Sequence, residues 1–290
     1  MAEQMQDIKR RIKSVTSTER ITNAMKLVSA SKLRRAKKVY EHSKGFLDDI
    51  FESMADALNY AENVPAEYVD SQKEVNTKCY VLITSSNGLC GGFNTNIIKA
   101  LEDILTRETA AVKLATIGTK GREYFERRGY DVVVSHDDPA DSITFDEAKK
   151  VVGPLIEMFD SGEIDEIELC FTSYINTLKQ EVVVKKLLPF HLEDFHKASS
   201  LDHLTHEMEY EPSAMEVFHY MIPKYLELRL YSAAMESATC EHAARRSAME
   251  NANDNARDML SALQIHYNRA RQAEITDEII EIVAGSEAQR

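Results

Sequence analysis

Both ends of the chain show the hydrophobic period of an α-helix over long stretches. Near the N-terminus, apolar residues recur at steps of mostly three and four, the spacing of one helix face. They are Ile8, Ile12, Val15, Ile21, Met25, Val28, Leu33, Ala36 and Val39. Residues 1–44 contain neither glycine nor proline. The pattern predicts a long helix with a narrow apolar stripe, resumed after Gly45 and closed by Pro65.

The C-terminal stretch from Lys224 to Ala284 is also free of glycine and proline. As one helix it would be roughly 90 Å long, so it needs a partner along its length. Alanines every fourth residue mark the seam, because small side chains let two helices approach closely. The seam comprises Ala244, Ala248, Ala252 and Ala256, extended by Met249, Met259, Leu260, Leu263 and Tyr267. We expect this helix to pair with the N-terminal one in an antiparallel coiled coil.

The middle of the chain has a different pattern. Eight of the ten glycines and all six prolines lie between Pro65 and Pro223. Short apolar runs alternate there with amphipathic segments, which is typical of strands and helices in a mostly parallel sheet covered on both faces. Strands are predicted at 79–84, 112–117, 132–134, 167–172 and 181–187, and helices at 94–107, 119–128 and 145–159. The last two strands suggest a hairpin.

These patterns together predict an α/β protein. A long antiparallel coiled coil of the N- and C-terminal helices is joined to a small Rossmann-like α/β domain. We expect residues 1–60 to form the N-terminal coiled-coil helix, residues 70–208 the Rossmann-like domain and residues 210–286 the C-terminal coiled-coil helix.

The glycine-rich loop after the first predicted strand raises the possibility of nucleotide binding. The dinucleotide fingerprint requires GxGxxG and an acidic residue at the end of the second strand. Here the loop reads Gly88-Leu-Cys-Gly-Gly92, and residues 116–120 at the end of the second strand contain no carboxylate. The phosphate-loop pattern GxxxxGK[ST] is also absent from the sequence. These spacings favour a tight strand-to-helix turn. A nucleotide-binding Rossmann enzyme with a coiled-coil appendage is the alternative.

No sequence motif marks a catalytic residue, a cofactor site or a metal site. Four histidines lie close to acidic residues, but neither HExxH nor HxxEH occurs among them, so we interpret the stretch as an acidic surface loop. The stretch contains His191, Glu193, Asp194, His196, His203, His206 and Glu207. The four cysteines form no CxxC pair, as expected of buried thiols in a reducing compartment.

Positive charge is concentrated at the N-terminal end. Residues 1–44 contain twelve Lys or Arg and four Asp or Glu, although the whole chain has a formal net charge of −13. The basic residues of such a helix are either exposed to solvent or bind an acidic partner or nucleic acid. The acidity of the whole chain and the lack of aromatic residues among the basic ones count against nucleic acid.

The sequence also bears on where the protein resides. No apolar run approaches the ~18 residues of a membrane span, and the N-terminus carries charges where a secretory signal needs apolar residues. Glu3, Asp7 and Glu19 fit a transit peptide poorly. We therefore expect the protein to stay in the compartment where it is made.

Several motifs resemble the gamma subunit of F-type ATP synthases. The C-terminal segment 275–285 is similar to the signature in which Ile-Thr-x-Glu is followed by an acidic residue and a glycine. Ser286 departs from the alanine that is usual there. Further similar segments lie at 20–32, 86–94, 236–237, 241–245 and 254–256. The resemblance therefore extends, in order, over nearly the whole chain.

The resemblance implies a non-catalytic rotor without cofactors. The coiled coil would be the central stalk inside a ring of three alpha and three beta subunits. The Rossmann-like domain would stand near the epsilon subunit and the membrane ring of c subunits. Rotation of the stalk would drive the beta subunits through open and closed states, coupling proton movement to ATP synthesis or hydrolysis. The location implied is peripheral, on the cytoplasmic side of a bacterial inner membrane.

Individual contact residues follow from the same resemblance. Met25 and Lys26 match positions where the shaft passes acidic loops of the beta subunits. Positions on the C-terminal helix that bond to the surrounding ring are matched by Arg245, Arg271, Gln272, Thr276 and Glu278. Without the resemblance, each of these would be interpreted as a solvated residue on an exposed helix.

Overall fold

Two long helices contain almost half of the chain. In the computed structural model, which describes residues 2–60, 68–69, 74–198 and 209–287, α1 spans Ala2–Tyr60 and α6 spans Ala214–Glu287. Helix α1 runs through Gly45 without a break. The predicted end at Pro65 lies outside the described residues.

Helix α6 begins within the predicted range 210–286, ten residues before the glycine- and proline-free stretch that starts at Lys224, and it contains Pro223. Proline lacks the N–H of a helical hydrogen bond and usually interrupts a helix. Here Phe218 and Ile222 are buried in the core. Burial of these two large side chains offsets the cost of the proline, because each contributes about 1.5–3 kcal/mol.

The chain divides into two compact units, and each contains part of both long helices. The first unit comprises Met1–Ala30 and Arg245–Arg290, and the second comprises Ser31–Ala244. In the first unit, hydrogen bonds and ion pairs join α1 to α6. The second unit contains the sheet and the remaining helices.

The sheet of the second unit has five strands in the order β3-β2-β1-β4-β5. Four strands are parallel, and the fifth pairs antiparallel with the fourth at one edge. The strands are β1 (Thr77–Ile83), β2 (Ala111–Ile117), β3 (Asp131–His136), β4 (Glu166–Tyr174) and β5 (Gln180–Leu188). Every predicted strand is present, and the predicted antiparallel addition at one edge is confirmed.

Helices cover both faces of this sheet. Alternate residues of β1 point to opposite faces, so Val81 packs with α1, α4 and α6 while Leu82 packs with α2 and α3. The shorter helices are α2 (Phe93–Leu105), α3 (Thr119–Glu126), α4 (Phe145–Asp160) and α5 (Leu192–Ala198). A 3-10 helix, Ala140–Ser142, precedes α4. The predicted α/β architecture is therefore confirmed.

Part of the predicted acidic, histidine-containing loop forms α5, which begins at Leu192. The remainder, with His203, His206 and Glu207, lies outside the described residues.

Candidate partner-contact surface

Polar contacts fix the direction of the two helices in the first unit. Asn253 Nδ2 donates hydrogen bonds to the Glu19 carbonyl oxygen at 2.9 Å and to Thr22 Oγ1 at 3.3 Å. Arg257 Nε lies 3.3 Å from Glu19 Oε1. Lys26 Nζ lies 3.9 Å from Glu250 Oε1. Later residues of α1 meet earlier residues of α6, so the predicted antiparallel coiled coil is confirmed.

The stripe predicted on α1 is partly wrong within the first unit. Ile21 and Val28 are each 57% exposed, whereas the neighbouring Thr22 and Ser29 are buried. On α6, Met259 was predicted in the seam but is 54% exposed. The small polar side chains of Thr22 and Ser29 occupy the seam on α1, because they allow the helices a closer approach than isoleucine or valine would. Ile21, Val28 and Met259 are left on the outer surface.

Met25 and Lys26, the contact residues predicted on α1, are both half-buried in the first unit. The ion pair between Lys26 and Glu250 is long and partly exposed, so it contributes at most about 1 kcal/mol. Lys26 could therefore exchange Glu250 for a stronger carboxylate partner with little loss of stability.

The contact residues predicted on α6 fall into two environments. Arg245 is 9% exposed and interacts with another group of the protein. The other four are exposed in the last part of α6: Arg271, Gln272, Thr276 and Glu278. Thr276 Oγ1 donates to the Gln272 carbonyl oxygen at 2.8 Å, an ordinary contact within a helix. Four of the five predicted positions therefore present their side chains to solvent.

An exposed aliphatic surface near the end of α6 was not among the contact residues predicted from the sequence. Each of its side chains is between 47% and 72% exposed: Ile275, Ile279, Ile280, Ile282 and Val283. At about 100° per residue these positions span roughly 160° of the helix circumference, more than a single seam needs. A contiguous apolar patch of this kind marks an interaction site. The width of this apolar face can be calculated from the sequence and could have predicted the surface.

In the second unit, α6 is bonded to the carboxyl end of β4. Glu236 Oε1 accepts hydrogen bonds from Ser173 Oγ at 2.6 Å and from the Tyr174 amide at 2.9 Å. Ser237 Oγ accepts one from the Thr172 amide at 3.1 Å. Burial and the nearby Glu236 raise the pKa of Tyr40 on α1 to about 12. The segment 236–237 thus joins both long helices to the sheet.

This junction also bears on the nucleotide alternative. In doubly wound sheets, ligands bind at the carboxyl ends of the strands where the strand order reverses, which here lies between β1 and β4. Glu236, Ser237 and Cys240 of α6 contact the carboxyl end of β4. Cys240 also packs against Cys90 of the glycine-rich loop and against Phe93 at the start of α2. The chain therefore fills its own ligand crevice.

The glycine-rich loop is held by its own polar groups. Asn94 Oδ1 accepts a hydrogen bond from the Ser85 amide at 3.0 Å, and Ser85 Oγ donates to the Asn87 carbonyl oxygen at 2.6 Å. Gly91 has a positive φ of 59°, which favours glycine. The loop is a tight strand-to-helix turn, as the spacing predicts.

A second junction joins both long helices to the segment before α4. Asp141 Oδ2 lies 3.0 Å from Lys32 Nζ on α1 and 3.0 Å from His242 Nε2 on α6. The hydrogen bond with His242, and then the contact with Lys32, hold the pKa of the Asp141 carboxyl well below its usual range.

The sequence matches one protein family over nearly its whole length. A family model described as ATP synthase matches residues 4–289. The ATP synthase gamma chain of Alkaliphilus metalliredigens is 41% identical over 288 residues, which cover 98% of each chain. The sodium ion specific ATP synthase gamma chain of Acetobacterium woodii is 38% identical over 99% of each chain.

Solved structures share the fold. The chain resembles one in the central stalk and c-ring of the Tetrahymena thermophila mitochondrial ATP synthase, with a TM-score of 0.60, 24% identity and coverage of 80% of this chain and 99% of that one. A chain of the Euglena gracilis mitochondrial ATP synthase, in a structure of OSCP, F1 and c-ring, gives a TM-score of 0.67 at 17% identity, covering 100% of this chain and 95% of that one.

Proposed function

Because this chain belongs to the ATP synthase gamma-chain family, we propose that it turns inside a ring of three alpha and three beta subunits and couples proton movement to ATP synthesis or hydrolysis. It is a central-stalk subunit and not itself catalytic. Rotation driven at a membrane ring of c subunits would force the beta subunits through open and closed states.

The exposed aliphatic surface of α6, residues 275–283, is the observation that best supports this role. An apolar helix end in water favours burial in a surrounding partner by about 25 cal/mol per Å². A sleeve formed by the alpha and beta subunits would provide that burial. Because apolar contacts are non-directional, they would also let the helix turn within the sleeve. Arg271, Gln272, Thr276 and Glu278 would then add polar bonds to the ring.

The basic part of α1 supports a second contact. Met25 and Lys26 lie in a region where positive charge predominates, and we propose that they face acidic loops of the beta subunits. Electrostatic attraction of this kind guides association and is weakened by salt where it is exposed. Arg245 is proposed to bond to the ring from its more buried position, which requires its partner to approach α6 closely. Residues 1–60, 70–208 and 210–286 remain our proposed division into helix, domain and helix.

The place of the chain in the cell follows from the same proposal. Within the residues that the structure describes, no helix is long and apolar enough to cross a membrane. We propose that the protein is held at the cytoplasmic side of a bacterial inner membrane through the epsilon subunit and the c-ring.

Co-expression with alpha and beta subunits tests the proposal, with the mass of the purified complex as the readout. One copy of this chain for every three beta subunits is expected. A chain that purifies alone, or that hydrolyses ATP by itself, would contradict the rotor function and favour the nucleotide-binding alternative.

A further inference from the structure

Three possible metal ligands come together at the carboxyl end of β3. His136 is the last residue of that strand, Asp138 follows two residues later, and Glu147 lies in the first turn of α4. One candidate ligand atom from each residue lies within 4.8 Å of those from the other two. We propose that these three side chains bind a divalent transition-metal ion, Zn²⁺ in the first instance. This site is independent of the rotor function.

The imidazole of His136 shows why the cluster differs from an ordinary acidic surface. Its Nε2 atom is buried and has no hydrogen-bond partner among the described residues. A buried polar nitrogen without a partner is costly, and most such groups in proteins are satisfied. A metal ion bonded to this nitrogen would remove the cost.

The two carboxylates retain oxygen atoms for a ligand. Glu147 Oε2 accepts hydrogen bonds from the Thr144 amide at 2.7 Å and from Thr144 Oγ1 at 2.8 Å, so both fall on one oxygen. Asp138 is exposed, and its side chain is therefore able to rotate towards the other two. The neighbouring Asp137 differs, because Arg122 Nε donates to its Oδ1 at 2.8 Å.

The donor set indicates which ion would bind. One imidazole nitrogen with two carboxylate oxygens suits Zn²⁺ or Mn²⁺, whereas Mg²⁺ prefers an octahedral shell of oxygen atoms. Zn²⁺ bonds of about 2.0–2.2 Å to these atoms would leave a fourth position for water. The ligand atoms would have to draw somewhat closer than they lie here, which the exposed Asp138 permits.

Binding would act on the segment between the outer ligands. This segment contains Asp141, which contacts Lys32 on α1 and His242 on α6 at 3.0 Å each. An ion bonded to both His136 and Glu147 would restrict the loop that carries Asp141. We therefore expect the metal to raise the thermal stability of the folded chain, since it binds the folded state alone.

Titration calorimetry of the full chain with Zn²⁺, and separately with Mn²⁺ and Mg²⁺, tests the site. The ligand variants are His136→Ala, Asp138→Asn and Glu147→Gln. Glu147→Gln keeps the helix cap, because either glutamate or glutamine can occupy the third helical position of a capping box. The matched controls are Asp146→Asn, next to Glu147 on α4, and His266→Ala, an exposed histidine of α6. Circular dichroism in EDTA verifies that each variant folds.

The wild-type chain should bind one more equivalent of Zn²⁺ than His136→Ala. Ions held more weakly at other histidines should bind equally to both chains. Affinity at this site should fall by at least about tenfold in Asp138→Asn and Glu147→Gln, since even the loss of an outer-shell partner costs roughly that much. Zn²⁺ should raise the melting temperature of the wild type and both controls more than that of the three ligand variants.

Two results would overturn the site. One is equal Zn²⁺ stoichiometry and affinity in the wild type and His136→Ala. The other is a loss confined to His136→Ala, with Asp138→Asn and Glu147→Gln unchanged, because that would leave a lone histidine in place of a three-ligand site. Tighter binding of Mg²⁺ than of Zn²⁺ would contradict the assignment of the ion.

Discussion

Asn253 on α6 donates a hydrogen bond of 2.9 Å from Nδ2 to the backbone carbonyl oxygen of Glu19 on α1. The asparagine is fully buried, and its Oδ1 has no hydrogen-bond partner among the described residues. A single buried asparagine in a coiled coil fixes the register of the two helices at some cost in stability. This contact therefore sets how α1 and α6 align in the first unit.

Replacing Asn253 by aspartate should destabilise the coiled coil. The carboxylate cannot donate to the Glu19 carbonyl oxygen, and it would be a buried charge, so the free energy of unfolding should fall by about 3 kcal/mol at neutral pH. The loss should diminish on acidification as the new carboxyl is protonated. Thermal unfolding followed by circular dichroism measures this. Asn255→Asp, an exposed neighbour on the same helix, is the control and should change stability by no more than about 0.5 kcal/mol.

Removing the hydroxyl of Ser237 should weaken the junction between α6 and β4. Ser237→Ala leaves the Thr172 amide buried without its acceptor, at a cost of about 1–3 kcal/mol in the free energy of unfolding. Urea unfolding of the variant beside Ser247→Ala, an exposed serine on α6, isolates the effect. Equal midpoints for the two variants would show that the hydrogen bond contributes little.

Glu168 should make stability depend on pH in the neutral range. Burial, and then the neighbouring Glu166, raise the pKa of Glu168 to about 7. Lys78 Nζ is 3.0 Å from Glu108, 3.1 Å from Glu166 and 3.7 Å from Glu168. Against the effect of burial, bonds from Lys78 and others lower the pKa of Glu108 to about 2. Glu108 therefore titrates below the range that concerns Glu168.

The direction of this pH dependence follows from the number of protons bound to Glu168 in the folded and unfolded chains. Between about pH 4.5 and 7 the folded chain holds a proton on Glu168 that the unfolded chain has released, so this contribution to stability is lost as the pH rises through 7. Glu168→Gln cannot ionise, and its stability relative to the wild type should increase from pH 5 to pH 8. Urea unfolding at both pH values measures this change. Glu157→Gln, an exposed residue of α4, should show no such trend.

Truncation after Ala273 should impair coupling while leaving assembly intact. It removes the exposed aliphatic surface of residues 275–283, which we propose is enclosed by the alpha and beta subunits. ATP-driven proton pumping into membrane vesicles should fall more than the rate of ATP hydrolysis. Truncation after Ser286 retains that surface and should behave as the full chain. Normal pumping by the shorter chain would remove the main support for this contact.

Met25→Lys should also reduce coupling with assembly retained. A second cation beside Lys26 would strengthen attraction to acidic beta loops in one orientation of the shaft and so hinder its release. The ratio of proton pumping to ATP hydrolysis measures the effect, and raising the salt concentration should lessen it. Met25→Leu, of similar volume, is the matched control. A normal ratio in Met25→Lys would argue against contact at this residue.

The elements of the fold could be predicted because their signals are local. Residues 167–172 form part of β4 since a short apolar run between turns favours a strand, and Lys224–Ala284 lies within one helix since nothing in it breaks a helix. The seam of the coiled coil was harder to predict. Ile21 and Val28 recur at the spacing of a buried helix face. A residue that packs against another subunit shows the same spacing as a residue in the core, so the sequence pattern does not distinguish the two.

The polar junctions could not be predicted from the sequence, for a different reason. Asp141 and His242 lie 101 positions apart, and His136 is brought near Glu147 by the turn from β3 into α4. No local period reports such contacts, because they depend on how the helices pack on the sheet. The motif at 236–237 was recognised by resemblance, and the structure supplies its physical role in bonding α6 to β4.

Direct observation of rotation would test the rotor function most decisively. The alpha–beta ring would be fixed to a surface, with a visible probe attached to this chain through a cysteine introduced in the Rossmann-like domain. We predict that ATP drives the probe continuously in one direction and that truncation after Ala273 reduces its torque. A complex that hydrolyses ATP at its normal rate while the probe stays still would contradict the account.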